Sequence, residues 1–280
     1  MGTDATESWT RPPAVAGMFY PDQRQRLETM VKEFLDQARS EISDSPGAPA
    51  PRALIAPHAG YVYSGPIAAS AYVRLEPLRG KIDRVVLIGP SHRVAVSGLA
   101  TSSADAFDTP MGPVALDKQA IGLLLELPIV NVVDQAHERE HSLEVHLPFL
   151  LDVFGVDTFK LVPLAMGDVS AGQVAQVIQT LWSRRTLVII SSDLSHFHDY
   201  ETANQMDQAT SRAIEALHPH EISREQACGW AAIQGLLEVA QQQGLKAITV
   251  DQRNSADTGG RTGGRAARNE VVGYGAYVFS

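Results

Sequence analysis

Apolar and polar positions along the chain follow two periods, and the changes between them lay out a succession of strands and helices. The aliphatic runs Ala53–Ala56, Val85–Ile88 and Leu187–Ile190 are closed by Pro, Gly or Ser, the pattern of strands buried on both faces of a parallel sheet. Phe159–Leu164, Ile129–Val133, Ala247–Val250 and Gly273–Phe279 add further strands. Leu27, Met30, Val31, Phe34 and Leu35 recur at helical spacing within residues 22–36. Helices are also predicted over 66–75, 118–126 and 142–154, the last with Pro148 near its first turn or at a kink. Another runs from a Ser170/Gln173 capping box to Trp182, followed by two long helices over about 201–217 and 224–243. Residues 1–12 read as a loose polar tail, 40–52 as a breaker-rich loop, and the glycine-rich stretch from Asn254 to Arg265 as a flexible loop. Strands and helices interleave and never segregate. This predicts one α/β domain over 13–280, a central, mostly parallel sheet flanked by helices.

Composition narrows the function classes. The 280 residues are 44% hydrophobic and 20% charged, enough for one large core. The formal charge is -9, with Lys and Arg scattered, so no basic stripe is available and nucleic acid is not an expected partner. No apolar run reaches the roughly eighteen residues of a membrane span. The start Met-Gly-Thr-Asp-Ala-Thr-Glu lacks the basic and apolar segments of a secretion signal. A soluble, cytoplasmic protein is the expectation. Cys228 is the only cysteine, which rules out an internal disulfide and fits a reducing compartment.

Three of the apolar runs lead into a histidine: His58 in Pro57-His-Ala-Gly60, His92 in Gly89-Pro-Ser-His92, and His196 in Ser191-Ser-Asp-Leu-Ser-His196. Open α/β sheets bind ligands beyond the carboxyl ends of their strands, and imidazole serves both metal ligation and proton transfer near neutral pH. A single such histidine is as well read as structural; three at equivalent positions point to one centre. Asp193 precedes His196 by three residues, where it is placed to orient the ring or accept its proton. A Ser223/Gln226 capping box would put Cys228 in the first turns of a helix, where the dipole favours the metal-binding thiolate. The opposing reading is a small buried hydrophobe.

His137-Glu138-Arg-Glu-His141 matches the H-E-x-x-H zinc pattern, yet it follows Asp134-Gln-Ala without the apolar stripe of a zinc-protease helix. The adjoining cluster Glu140, His141, Glu144 and His146 is a candidate for substrate contacts or supporting hydrogen bonds, or a solvated helix start; on a helix, Glu140 and Glu144 would share a face. Phosphate-loop, dinucleotide-fingerprint and nucleophile-elbow motifs are absent from the sequence. No nucleotide cofactor is expected.

Taken as a set, Pro13-Ala-Val-Ala-Gly-Met-Phe-Tyr-Pro21, Ala56-Pro-His-Ala-Gly-Tyr61, Gly89-Pro-Ser-His92, Glu140-His-Ser-Leu-Glu-Val-His-Leu-Pro148, Ser191-Ser-Asp-Leu-Ser-His196 and Cys228-Gly229 resemble the Memo family, whose bacterial and archaeal members are called AmmeMemoRadiSam system protein B. The resemblance spans about residues 12–280. It implies a fold similar to class III extradiol ring-cleaving dioxygenases, which are non-haem iron enzymes. By motif, His58 and His92 take the places of the two imidazole ligands and His196 that of the acid-base. Cys228 stands where the dioxygenases have a carboxylate. That soft thiolate admits copper or zinc as well as iron, so dioxygenase activity is not carried over by fold. Arg93 stands where some Memo proteins have a further histidine.

The leading expectation is therefore a metal-dependent oxidoreductase using iron or copper. Its ligands would be His58, His92 and Cys228, with His196 and Asp193 handling protons. The alternatives are a non-catalytic protein whose same cleft, with Tyr61 and Tyr63 in its wall, holds a peptide or small-molecule ligand, and a zinc hydrolase. The resemblance also implies partnership with a radical-SAM protein and an AMMECR1-like protein, and chains of this size and class often form homodimers.

Overall fold

The computed structural model describes residues 9–42, 49–259 and 269–280. In chain order its strands are β1 (Thr10–Arg11), β2 (Ala53–Ala56), β3 (Arg84–Pro90), β4 (Leu99–Thr101), β5 (Ala106–Phe107), β6 (Val114–Ala115), β7 (Val130–Val132), β8 (Lys160–Met166), β9 (Thr186–Ser191), β10 (His196–His198), β11 (Ala247–Asn254) and β12 (Val271–Phe279). The helices are α1 (Arg24–Glu41), α2 (Tyr61–Tyr72), α3 (Lys118–Leu124), α4 (Gln135–Glu138), α5 (Leu147–Phe154), α6 (Ala171–Leu181), α7 (Tyr200–Glu215), α8 (Trp230–Gln243) and α9 (Ser255–Thr258).

The large sheet runs β10-β12-β2-β9-β3-β8-β4-β7, with β11 also on β12. Its centre, β2-β9-β3-β8, is parallel, as the continuous aliphatic runs require. β12 joins β2 and β4 joins β8 antiparallel, so the sheet as a whole is mixed. Helices flank it in two packed groups, α1 with α2 and α5, and α6 with α3 and α8. Leu87, Ile88, Ile189 and Ile190 are wholly buried between them, each contributing about 1.5–3 kcal/mol of transfer free energy. A small second sheet, β1-β5-β6, abuts β8 of the large one through β6.

Several boundaries differ from expectation, each for a physical reason. Thr10 and Arg11, expected in the polar tail, pair with Ala106 and Phe107 in β5; residues 1–8 lie outside the described residues. α2 starts at Tyr61 with Pro66 inside it, not at Pro66, because the amide of Tyr61 is anchored on the carbonyl of Phe19. Residues 144–146 form a 3-10 turn and α5 begins only at Leu147, with Pro148 in its first turn. The Ser170/Gln173 capping box forms as expected. The Ser223/Gln226 box forms only halfway: Gln226 accepts from the Ser223 amide, but the Ser223 hydroxyl turns to Glu225. α8 accordingly starts at Trp230, beyond Cys228. Ser255–Thr258, expected as loop, forms the short α9; residues 260–265 of that glycine-rich segment lie outside the described residues.

The strand order positions the site. β9 lies between β2 and β3, all parallel, so the segments that follow them emerge side by side at one sheet edge.

Candidate metal centre

His58 follows β2, His92 follows β3 and Asp193 follows β9; Cys228 comes from the turn before α8. The ligand atoms of His58, His92 and Cys228 lie within 4.8 Å of one another. Cys228 Sγ is 3.5 Å from His58 Nε2. A tetrahedral ion with nitrogen at about 2.1 Å and sulfur at about 2.3 Å sets those two atoms about 3.6 Å apart. Two imidazoles and a thiol at this spacing fit a transition-metal ion.

The rings are held with their Nε2 atoms free for such an ion. The Ser191 hydroxyl donates its one proton to the Ser142 carbonyl at 2.5 Å. At its 2.6 Å contact with His58 Nδ1 it must therefore accept, which puts the His58 proton on Nδ1 and leaves a lone pair on Nε2. For His92, Nδ1 lies 2.9 Å from Glu140 Oε1. That carboxylate also accepts from the amides of His92, His141 and Ser142. These bonds outweigh the burial that opposes them and bring the Glu140 carboxyl down to about 2. An ionised Glu140 fixes His92 as the Nδ1–H tautomer, the arrangement found behind metal-bound histidines. Glu140, His92 and His141 also form a possible ligand group, but the four hydrogen bonds already on Glu140 make it a support for His92.

Cys228 is pinned to the end of β9. Its amide donates to the Asp193 carbonyl, and the Asp193 amide points to its sulfur at 3.3 Å. The approach requires Gly229, where a Cβ would stand 2.7 Å from Ser192 Cβ and 2.9 Å from the Ser191 carbonyl oxygen. Burial, followed by the charge of Asp193, pushes the Cys228 thiol up to about 12. This reverses the expected helix-dipole effect, because the residue precedes the helix rather than opening it. Burial also raises Asp193 and holds His58 well below the ordinary imidazole range. His58 is therefore held neutral beside two acids that burial keeps from ionising. A cation entering the site would displace the thiol proton.

Asp193 accepts from the His58 amide at 2.7 Å through Oδ1, and its Oδ2 is 4.0 Å from His58 Nε2. His196 is steered instead by the Leu194 carbonyl, 2.7 Å from its Nδ1. Asp193 therefore does not orient that ring, contrary to expectation. The carbonyl fixes the His196 proton on Nδ1 and leaves Nε2 as an acceptor. His196 is close enough to His58 and Asp193 for its charge to act on both. His141 stacks on His92 with centroids 4.8 Å apart and is covered by Phe19 at 4.6 Å.

Three expected site residues point elsewhere. Tyr61 is buried, gives its hydroxyl to the Val145 carbonyl, and does not line a cleft; Tyr63 is exposed. His146 is buried against the Tyr72 hydroxyl, and burial lowers it to about 3. Glu144 accepts from Arg11, Tyr20 and the amides of Ala14 and Val15, so it secures the N-terminal segment rather than sharing a face with Glu140. The H-E-x-x-H pattern does not assemble: α4 ends at Glu138, and His137 is buried with Nε2 on the Ala100 carbonyl at 3.0 Å. Nothing in the spacing of the sequence marks Ser191 or Arg11 as supporting residues of the site.

A solved structure, an uncharacterized protein JW3007 from Escherichia coli K12, superposes with a TM-score of 0.50 at 12% identity, covering 81% of this chain and 98% of that one. That likeness is one of fold. MEMO1 family proteins of Methanococcoides burtonii and Aquifex aeolicus are 35% and 33% identical to this chain, over 96% of its length and 99% and 98% of theirs. One of Sulfolobus acidocaldarius is 34% identical over 94% and 97%. The family model for Memo-like proteins matches residues 11–278, and the chain belongs to the Memo family.

Proposed function

We propose that this protein is a metal-dependent oxidoreductase that holds iron or copper through His58 Nε2, His92 Nε2 and Cys228 Sγ and acts on a small molecule at the same sheet edge. The observation that carries the proposal is the pair of tautomer-fixed imidazoles, locked by Ser191 and Glu140, with their free nitrogens converging on one thiol. Iron or copper, when bound, supplies one-electron chemistry that no side chain here provides. Cys228 gives up its proton on binding. His196, its Nδ1–H tied to the Leu194 carbonyl, offers Nε2 as the acceptor for a substrate proton and returns it later. Asp193 holds the His58 backbone in place. His58, Ser191 and Asp193 are buried, whereas His92 is exposed, so the centre opens to solvent on the His92 side.

Anaerobic purification followed by elemental analysis tests the redox reading. Iron or copper near one equivalent supports it, and zinc alone overturns it. A second reading, a partner-binding protein, draws on the exposed side chains of Met18, Val62 and Phe197; a complex that survives loss of both the metal and His196 would favour it.

A further inference from the structure

Arg93 directly follows His92, and Arg139 directly precedes Glu140. The two line one surface cleft of about 630 Å³ together with Met18, Val94, Gln135 and Glu138. Arg11, Arg84 and Arg185 are each matched with a carboxylate, whereas among the described residues neither Arg93 nor Arg139 has an ion pair. In a chain of net charge -9, two unmatched guanidiniums facing the same cleft make a local positive field that the rest of the composition opposes. The planar fork of arginine matches the paired oxygens of a carboxylate or phosphate. Met18 is 74% exposed and gives the cleft an adaptable apolar wall. Glu138 stands on the same rim, so the net lining charge is only mildly positive and suits one anionic group better than a polyanion.

The geometry points to this cleft as an oxyanion subsite that takes the carboxylate or phosphate end of a small organic acid. Its two arginines adjoin His92 and Glu140 of the metal centre in sequence; a role for the bound acid at that centre rests on the function proposed above. The cleft explains the charge at position 93, next to a ligand histidine, where a cation otherwise only opposes metal binding. It also gives Glu138 a part outside zinc chemistry, as the group that limits how much negative charge the cleft accepts.

Calorimetric titration of the full chain tests the subsite, with inorganic phosphate in one series and propionate in the other. Tighter binding of one anion identifies the phosphate or carboxylate source. Arg93→Ala/Arg139→Ala is expected to weaken the preferred anion by about a hundredfold, about tenfold for each guanidinium, and Glu138→Gln to tighten it a few-fold. All three side chains are exposed, so these variants are expected to fold, which circular dichroism checks. His58→Ala, which removes a proposed metal ligand, is expected to retain the anion. That outcome leaves the subsite standing even if the metal reading fails. Binding within twofold of the parent in the double variant would overturn the subsite. So would anion binding lost in His58→Ala but kept in the double variant, or no binding of either anion at about 10 mM.

Discussion

Replacing Glu144 by Gln isolates the device that attaches the N-terminal segment to the site loop. The carboxylate is wholly buried and faces Arg11, itself 3% exposed, at 2.6 Å. It also accepts from the Ala14 amide at 2.7 Å, the Val15 amide at 3.0 Å and the Tyr20 hydroxyl at 2.5 Å. Four donors therefore converge on two oxygens. A glutamine keeps one oxygen and presents an NH2 group to donors, so one pair of them loses its acceptor. Where that pair is Arg11 and Ala14, a buried guanidinium is left uncompensated. Breaking a buried ion pair from one side costs about 3–5 kcal/mol. Because Arg11 keeps its bonds to the His137 and Glu140 carbonyls, the lower end applies, about 3 kcal/mol. At about 2 °C per kcal/mol for a chain of this size, the melting temperature falls on the order of 6 °C. Urea denaturation of Glu144→Gln, Arg11→Met and the combined Arg11→Met/Glu144→Gln variant forms a cycle in which the charge pair shows as coupling, the combined loss falling short of the sum of the two single losses by at least about 1 kcal/mol. A Glu144→Gln loss below about 1 kcal/mol, or single losses that simply add, would refute the reasoning.

Further expectations follow from particular residues. Phe197 is 72% exposed and held at φ 60° at a bulge between β10 and β12, so Phe197→Gly should be more stable than Phe197→Ala by about 1 kcal/mol, the reverse of ordinary positions; equal melting temperatures would contradict this. His137 and His146, lowered by burial to about 4 and about 3, refuse protons that the unfolded chain accepts below about pH 6.5. Their contribution is thus complete above that pH and is lost as pH falls toward the folded values. Asp207, raised by burial to about 6, acts in the opposite direction between about pH 4 and 6 and only partly offsets them. Urea midpoints that rise on acidification from pH 6.5 to 5 would contradict the assignment. Ser191→Ala frees the His58 tautomer and is expected to weaken metal binding about tenfold or more; unchanged affinity would remove Ser191 from the account.

The parallel centre of the sheet and its three histidines were legible because buried strands leave continuous aliphatic runs, and a run's end fixes where the next polar residue emerges. Helical periodicity over 142–154 holds as an α-helix only from Leu147; the 3-10 turn at 144–146 breaks the spacing, so Glu140 and Glu144, which a continuous helix would put on one face, find separate partners. Arg11 lay in a stretch too short and polar to signal a strand; its pairing with β5 and Glu144 is set by contacts more than ninety residues away in sequence. Cys228 was visible as a thiol but not as a neighbour of Asp193, since the close approach depends on Gly229 and on where β9 stops. The supporting roles of Ser191 and Glu140 are legible only once the strands are placed side by side.

Cobalt(II) titration of the metal-free protein, followed through the thiolate-to-cobalt charge-transfer band, tests the His58, His92 and Cys228 centre most directly. One equivalent is expected to bind with the band fully developed and with proton release, and apparent affinity is expected to rise with pH. The band should vanish in Cys228→Ser, binding should weaken at least a hundredfold in His58→Ala and His92→Ala, and Glu138→Gln should match the parent. A cobalt site without the thiolate band, or one lost in Glu138→Gln and kept in His58→Ala, would contradict the account.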